Sequence, residues 1–198
     1  IRRRVNATLR IDQFYLPINV LSISVRHERS YLILTTLLES RASLQEAMTF
    51  LGALASGIEK AIGESANSIS YLAGKRLGMQ FSQDAPITDN IEQALATVRD
   101  ILQKNNCLWY FEPFKPHDRP DLIQTNGEAD EILLVFRDCM IRQSLFKFGH
   151  HQKGSLCNMM FGFFSGSLLN IMHRDSTLEI LHAGENGCYK KLIIHRKP

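Results

Sequence analysis

The sequence predicts an α/β (α+β) domain in which helices pack against an antiparallel sheet. Three observations favour this fold class. Helical periodicity of apolar residues recurs between residues 43 and 106, runs rich in β-branched and aromatic residues follow at 107–112 and 131–136, and two strand-like segments end the chain. With 198 residues, 44% of them hydrophobic, the chain has the size of one globular domain with a substantial core.

The N-terminal part is predicted to begin with an arm. Residues 1–13 contain the only dense basic run, Arg2 to Arg4, which is typical of a solvated terminal segment. Residues 14–198 are predicted to form a single domain. Its first segments, 14–25 and 31–39, are rich in β-branched and aromatic residues and are separated by the charged stretch RHERS. They predict two extended pieces, or a strand and a short helix.

Three helices are predicted next. Ser43 with Glu46 three residues later forms a capping box, which predicts the start of an amphipathic helix that continues to Ile62. Gly63 interrupts that helix, and a second helical pattern runs to Phe81.

The second and third helices carry further signals. Gly74 and Gly78 lie on one face of the second helix, where another element can approach closely. Asp89, with Glu92, is predicted to cap the third helix, which ends at Asn105 or Asn106 and has one buried stripe.

The segments CLWYFE and EILLVF predict two strands, at 107–112 and 131–136. Residues 113–130, with three prolines and a glycine, are predicted to be a long loop that could close over a cavity. The pattern of residues 137–154 is ambiguous. The last segments, 176–184 and 186–196, predict a terminal hairpin.

The stretch GSLCNMMFGFFSGSLLNIMH at 154–173 is the most apolar part of the chain and predicts a helix. The 17 residues from Leu156 to Met172 fall short of the roughly 20 needed to cross a bilayer. They also include polar side chains, so no membrane span is expected. Gly162 and Gly166 are expected to allow close packing of this helix on its neighbours.

Composition narrows the function classes. The net charge is only +3, and lysines and arginines are mixed with 20 acidic residues, so direct nucleic-acid binding is not indicated. Four scattered cysteines and no visible signal peptide indicate a reducing, cytoplasmic setting. The chain has no glycine-rich phosphate loop, G-x-S-x-G or HExxH motif, and a binding domain is therefore favoured over an enzyme.

Cys157, Glu179, His182 and Cys188 are the candidate metal ligands, because all four residue types bind zinc. Convergence requires a bend or bulge near residues 183–184, since Glu179 and His182 point to opposite faces of a regular strand. The alternative is two buried cysteines and a surface carboxylate.

Aromatic residues are dense in the C-terminal half, whereas polar residues of catalytic type are few. This composition is typical of an apolar cavity with one or two orienting groups, and equally of a filled core.

Two stretches together resemble one family: residues 25–33 with 44–78, and CNMMFGFFSGSLL with LEILHAGENGCYKKLII at 157–169 and 178–194. They resemble the 4-vinyl reductase-like, hydrocarbon-binding domain family, which includes the sensor domains of aromatic-responsive bacterial activators. The resemblance implies a fold related to subunits of vesicle-tethering complexes. It also implies a structural zinc, with Cys157, Glu179 and Cys188 matching the family ligands and His182 replacing a cysteine.

The resemblance also implies a function, which is to enclose a small apolar or aromatic molecule between helices and sheet. The expected contacts with that ligand are made by aromatic and aliphatic side chains of the C-terminal half: Trp109, Tyr110, Phe136, Phe161, Phe164 and Leu168.

The leading interpretation is therefore a cytoplasmic, homodimeric small-molecule sensor domain with a structural zinc. One alternative is an enzyme or accessory factor in the vinyl reduction of tetrapyrrole pigments, for which the sequence shows no nicotinamide or flavin fingerprint. The other alternative is a scaffold or tethering protein.

Overall fold

The computed structural model describes residues 18–107, 109–137, 139, 141–142, 153–184 and 187–196. By its internal contacts the chain divides into two units, Ile1–Ser43 and Leu44–Pro198. Residues of helix α1 (Ile18–Ile62) belong to both units. The arm predicted for residues 1–13 and most of the ambiguous segment 137–154 lie outside the described residues, and the boundaries of the predicted single domain stay a prediction.

The prediction of extended segments near the N-terminus is wrong for the described residues. Residues 18–25 and 31–39 are helical and belong to α1, which is 45 residues long. Between residues 18 and 51 the sequence contains neither glycine nor proline, the two residue types that interrupt a helix most strongly. The β-branched residues express only a weak preference for strands, which an unbroken helical hydrogen-bond ladder overrides.

The predicted capping box does not begin a helix. Ser43 lies inside α1, and its hydroxyl donates a hydrogen bond to the carbonyl of Glu39 at 3.1 Å. This bond to the residue four positions earlier is the way a serine satisfies its hydroxyl within a helix. The predicted break at Gly63 is confirmed: α1 ends at Ile62, and Gly63 has a φ of 61°, a left-handed conformation that glycine adopts without strain.

Helices α2 (Ser65–Phe81) and α3 (Ile91–Lys104) follow the predicted pattern. The cap of α3 is one residue later than predicted, because the side chain of Asn90, not Asp89, accepts a hydrogen bond from the backbone N–H of Gln93 at 3.0 Å. The buried stripe of α3 repeats at helical spacing and consists of Ile91, Ala94, Leu95, Val98, Ile101 and Leu102.

Five antiparallel strands form one sheet. Its order is β1–β3–β5–β4, and β2 pairs with β3 next to β1, so that β1 and β2 lie end to end along one edge of β3. The predicted strand pair at the C-terminus is confirmed as β4 and β5. The strands are β1 (Tyr110–Phe114), β2 (Ile123–Asn126), β3 (Ala129–Arg137), β4 (Ser176–Ala183) and β5 (Cys188–His195).

The prediction that residues 113–130 form only a loop is wrong in part. Residues 123–126 are strand β2, and a two-residue turn at Gly127 and Glu128 joins β2 to β3. Gly127 has a φ of 58°, which a tight hairpin turn requires and glycine supplies. Apart from this turn, the stretch between β1 and β2 is the part of this segment without strand structure.

Helix α4 (Ser155–Met172) lies at the centre of the helical layer, with the sheet on one side and α2 on the other. Within the described residues it is the helix whose length and composition would allow it to cross a bilayer, and 61% of it is buried inside the protein. A strongly apolar helix that its neighbours cover is a core helix. Its apolar character is thus explained by packing.

The glycines of α2 let α4 approach its backbone. A Cβ atom at Gly74 would overlap the carbonyl group of Met159, and one at Gly78 would overlap that of Phe163. The hydroxyl of Ser167 donates to the carbonyl of Gly78 at 3.3 Å. The predicted close approach at these two glycines is confirmed.

The glycines of α4 are used in the same way. A Cβ atom at Gly162 would overlap the carbonyl of Tyr71, and one at Gly166 would overlap that of Lys75. The two helices therefore present glycines to each other's carbonyl groups. Such an approach gains dispersion contacts and weak C–H···O interactions that larger residues would prevent.

We expect Gly162→Ala to destabilise the protein by about 3 kcal/mol or more, because the added methyl group meets rigid backbone. Gly57→Ala is the matched control, since Gly57 is also in a helix and a Cβ there has nothing within 4 Å. The control should be neutral or stabilising by about 0.5–1 kcal/mol. Urea unfolding measures both, and equal stabilities of the two variants would contradict the close contact of α2 and α4.

Candidate functional site

A cavity lies between the N-terminal half of α4 and strands β3, β4 and β5. Its volume is about 20 Å³, room for roughly one water molecule. The lining is mainly apolar and contains three thiols and two basic side chains: Phe136, Cys139, Ile141, Arg142, Cys157, Met160, Ile180, Ala183, Cys188 and Lys190.

The alternation of side chains along β5 explains which residues of the sheet face the cavity. In β5 the residues at 188, 190, 192 and 194 are buried, so Cys188 and Lys190 share the inward face with aliphatic residues. Their direct partners across the hairpin are Ala183 and Ile180, which also line the cavity. The cavity floor is therefore made of two cross-strand pairs.

A β-bulge separates these two pairs. The register shifts between Ile180 and His182, so that Leu181 is the extra residue of β4. The predicted irregularity is present, two residues before its expected position. Because of the bulge, Glu179 and His182 lie on the same face of β4, opposite Lys191 and Tyr189 of β5.

That face is the outer one, and the four candidate zinc ligands do not meet. Glu179 is half exposed and forms an ion pair with Lys191 at 3.4 Å, and His182 is exposed, whereas Cys157 and Cys188 face the cavity. Among the described residues, no group of three or more histidine, cysteine or acidic side chains is placed to hold a metal. In this structure the four predicted side chains are too scattered to hold one zinc ion. Zinc binding by the protein stays a prediction, which metal analysis of the purified protein tests.

Two thiols of the cavity, those of Cys157 and Cys188, are held in their neutral form. Burial raises the pKa of Cys157 and of Cys188, and the positive charge of Lys190 opposes this rise only in part. All four cysteines of the chain are free thiols. Reactive cysteines are thiolates, so Cys157 and Cys188 act as small apolar side chains at neutral pH.

Lys190 is the most unusual residue of the site. Its side chain is almost completely buried, with 1% exposed. Burial lowers its pKa, and the nearby sulfur atoms of Cys188, Cys157 and Cys139 counteract the effect. No carboxylate among the described residues pairs with this ammonium group, and removing such a group from water is costly, which makes this position a candidate for function.

The structure places the predicted ligand-contacting residues in different surroundings. Phe136 lines the cavity, and the ring of Phe161 lies 5.0 Å from the ammonium of Lys190. Phe164 and Leu168 are completely buried, and Phe164 packs edge-on against Phe136 and Phe111 in the filled core.

The two remaining predicted residues lie elsewhere. Trp109 packs against Phe163 with ring centres 5.6 Å apart. Tyr110 is 62% exposed and lies at a shallow surface depression. Ligand contact by the six aromatic and aliphatic residues stays a prediction.

Sequence reasoning missed several residues of the site, above all Lys190, Met160 and Cys139. A signal for Lys190 was present, because the alternation Cys188, Lys190, Leu192 puts a lysine on the apolar face of a strand. The sequence carries no such signal for Cys139, because the position of this residue depends on the path of the chain after β3.

The chain was compared with known proteins. No family model and no curated protein sequence matches it. Among solved structures it is similar to the crystal structure of the phenol-responsive sensory domain of the transcription activator PoxR with phenol, with a TM-score of 0.57 and 15% sequence identity over 75% of this chain and 74% of that chain. At this identity the similarity shows the fold.

The comparison confirms the predicted fold class, with helices packed on an antiparallel sheet. Membership of the 4-vinyl reductase-like family and the relation to vesicle-tethering subunits stay predictions.

We expect Lys190→Met to raise the free energy of unfolding of the ligand-free protein by about 1–3 kcal/mol at about pH 7, because methionine fills the same space without a buried charge. The pKa of Lys190 is lower in the folded protein than its ordinary value of 10.5. Between these two pKa values the unfolded chain binds more protons, so wild-type stability rises with pH and the advantage of the variant shrinks.

Lys191→Met is the control for this variant. Lys191 faces the opposite side, where its side chain is partly exposed and paired with Glu131 and Glu179, and its replacement should change stability by less than about 1 kcal/mol. Denaturant unfolding between about pH 7 and pH 10 measures both. A Lys190→Met protein less stable than wild type would contradict this account of the cavity.

Proposed function

We propose that this chain is a small-molecule sensor domain that encloses an apolar or aromatic ligand in the cavity between α4 and the β4–β5 hairpin. The observation that carries the proposal is the cavity itself, which combines a mainly apolar lining with a few convergent polar groups, as ligand sites do. The similarity to a phenol-responsive sensory domain supports the class of function through the fold.

The cavity has to enlarge to accept an aromatic ring, since it now holds about one water molecule. Its lining suits such a change. Met160 is unbranched and can adopt several rotamers, and Cys157, Ala183 and Cys188 are small. A ligand that binds the enlarged state more tightly shifts the population toward it, which is the elementary event of a sensor.

Ala183→Val tests the location of the ligand. Valine suits a strand and its two additional methyl groups enter the cavity, so affinity for phenol or toluene should fall about tenfold or more. His182→Val is the matched control, because residue 182 is adjacent in the same strand and exposed on the outer face. Isothermal titration calorimetry measures the affinities.

Three results would count against the proposal. Equal affinities of the two variants would show that the ligand does not bind in this cavity. A purified protein that carries a coloured chromophore would favour the pigment-reduction alternative, and a protein that binds no small molecule would favour the scaffold.

We infer further that the protein pairs with a second copy of itself through α1. Apolar side chains repeat at helical spacing along the part of α1 that lies in the second unit and are 41–51% exposed: Leu44, Leu51, Leu54, Ile58 and Ile62. A continuous apolar stripe of this kind marks an interaction surface, and a symmetric dimer is the commonest assembly that covers one.

We expect the double variant Leu54→Glu with Ile58→Glu to be a monomer, because it places two charges in the centre of this stripe. Lys60→Glu, an exposed change of charge on the same helix, should leave the assembly intact. Sedimentation equilibrium over a range of concentrations distinguishes the two species. A wild-type protein that is monomeric at all concentrations would exclude the dimer.

A further inference from the structure

Two adjacent lysines in β5 have opposite environments. Lys190 lies on the inward face, 1% exposed, and lines the cavity. Lys191 lies on the outward face and forms ion pairs with Glu131 and Glu179, at 3.9 and 3.4 Å. The ammonium of Lys191 has ordinary carboxylate partners. The interactions of the Lys190 ammonium have to be sought among the residues that line the cavity.

The contacts of the Lys190 ammonium are weak ones. Its Nζ atom lies 3.6 Å from Sδ of Met160, 4.4 Å from the ring centre of Phe136 and 5.0 Å from that of Phe161. An ammonium carries three hydrogen-bond donors, and a thioether is a weak acceptor. In the part of the chain that the structure describes, no oxygen atom accepts a hydrogen bond from Nζ. Most of its donor capacity is left for a ligand.

The other charged side chain among the described lining residues is also basic. Arg142 borders the same cavity and donates a hydrogen bond to the carbonyl of Gly184. No aspartate or glutamate is among the described lining residues. Burial keeps Cys157 and Cys188 as neutral thiols by raising their pKa. The cavity thus combines apolar walls with positive charge.

We propose that Lys190 is the counter-ion for an acidic group on the ligand, so that the cavity takes a small organic acid with an apolar or aromatic body and one carboxylate or ionised phenol. The inference rests on the proposed function, because it names the ligand class of the same cavity. A charge-assisted hydrogen bond replaces the hydration that the ammonium lost on burial, and it is strong in an environment without water. The ring of Phe136 supplies an apolar surface for the body of the ligand.

The test compares an acid with a neutral molecule of similar shape, benzoate and benzyl alcohol, by isothermal titration calorimetry on the full chain at about pH 7. The wild type should bind benzoate about tenfold or more tightly than benzyl alcohol. Lys190→Met should lose that preference. Lys191→Met, whose lysine faces the other side of the sheet, should behave as the wild type does.

The outcomes separate this inference from the proposed function. Binding of benzyl alcohol with no preference for benzoate would overturn the role of Lys190 and leave the ligand-binding function standing. Binding of neither probe would overturn both. An unchanged benzoate affinity in Lys190→Met would assign the acid to another group.

A second measurement needs no variant at this position. Benzoate affinity of the wild type should fall as pH rises through the pKa of Lys190, whereas benzyl alcohol affinity should fall less, because only the acid requires the ammonium. The other titratable or charged groups that face this amine are Cys139, Cys157, Cys188 and Arg142. Parallel pH profiles for the two probes would overturn the proposal.

Discussion

Four glycines on two helices decide how closely α2 and α4 approach, and the arrangement of the second unit depends on that distance. Gly74 and Gly78 admit the carbonyl groups of α4, and Gly162 and Gly166 admit those of α2. Side chains of any other residue type would hold the helices apart. The contact uses the small residues of α4, and its large side chains Phe164 and Leu168 belong to the buried core.

The two halves of α4 then meet the sheet differently. Toward its C-terminal end, Phe163, Phe164 and Leu168 fill the space completely, and the aromatic rings pack edge to face. Toward its N-terminal end, Cys157 and Met160 leave a gap above the β4–β5 hairpin. The filled core and the candidate ligand site thus use different halves of α4, and Phe136 of β3 contacts both. The buried charge of Lys190 lowers stability next to the N-terminal half of α4, at the candidate ligand site.

Much of this arrangement could be predicted from the sequence because it is local. Glycine spacing in α2 and α4, the stripe of α3 and the strand pair at the C-terminus follow from periods of 3.6 and 2 residues. The errors concern choices between two structures that the local pattern allows equally. The β-branched run at residues 31–39 is compatible with strand or helix, and Asn90 rather than Asp89 caps α3 because its side chain reaches Gln93. The faces of Glu179 and His182 depend on a bulge whose position is set by pairing with β5.

The doubled lysine of β5 has a consequence for that pairing. In a strand, neighbouring residues face opposite ways, so whichever register β5 adopted, either Lys190 or Lys191 would point inward. A positive charge inside the sheet is therefore built into the strand and cannot be avoided by slippage. The register decides where along the strand this charge lies, and each residue of slip moves it by about 3.3 Å. The hairpin turn, closed by the hydrogen bond from Gly184 N–H to the carbonyl of Gly187, holds the charge at the level of the cavity.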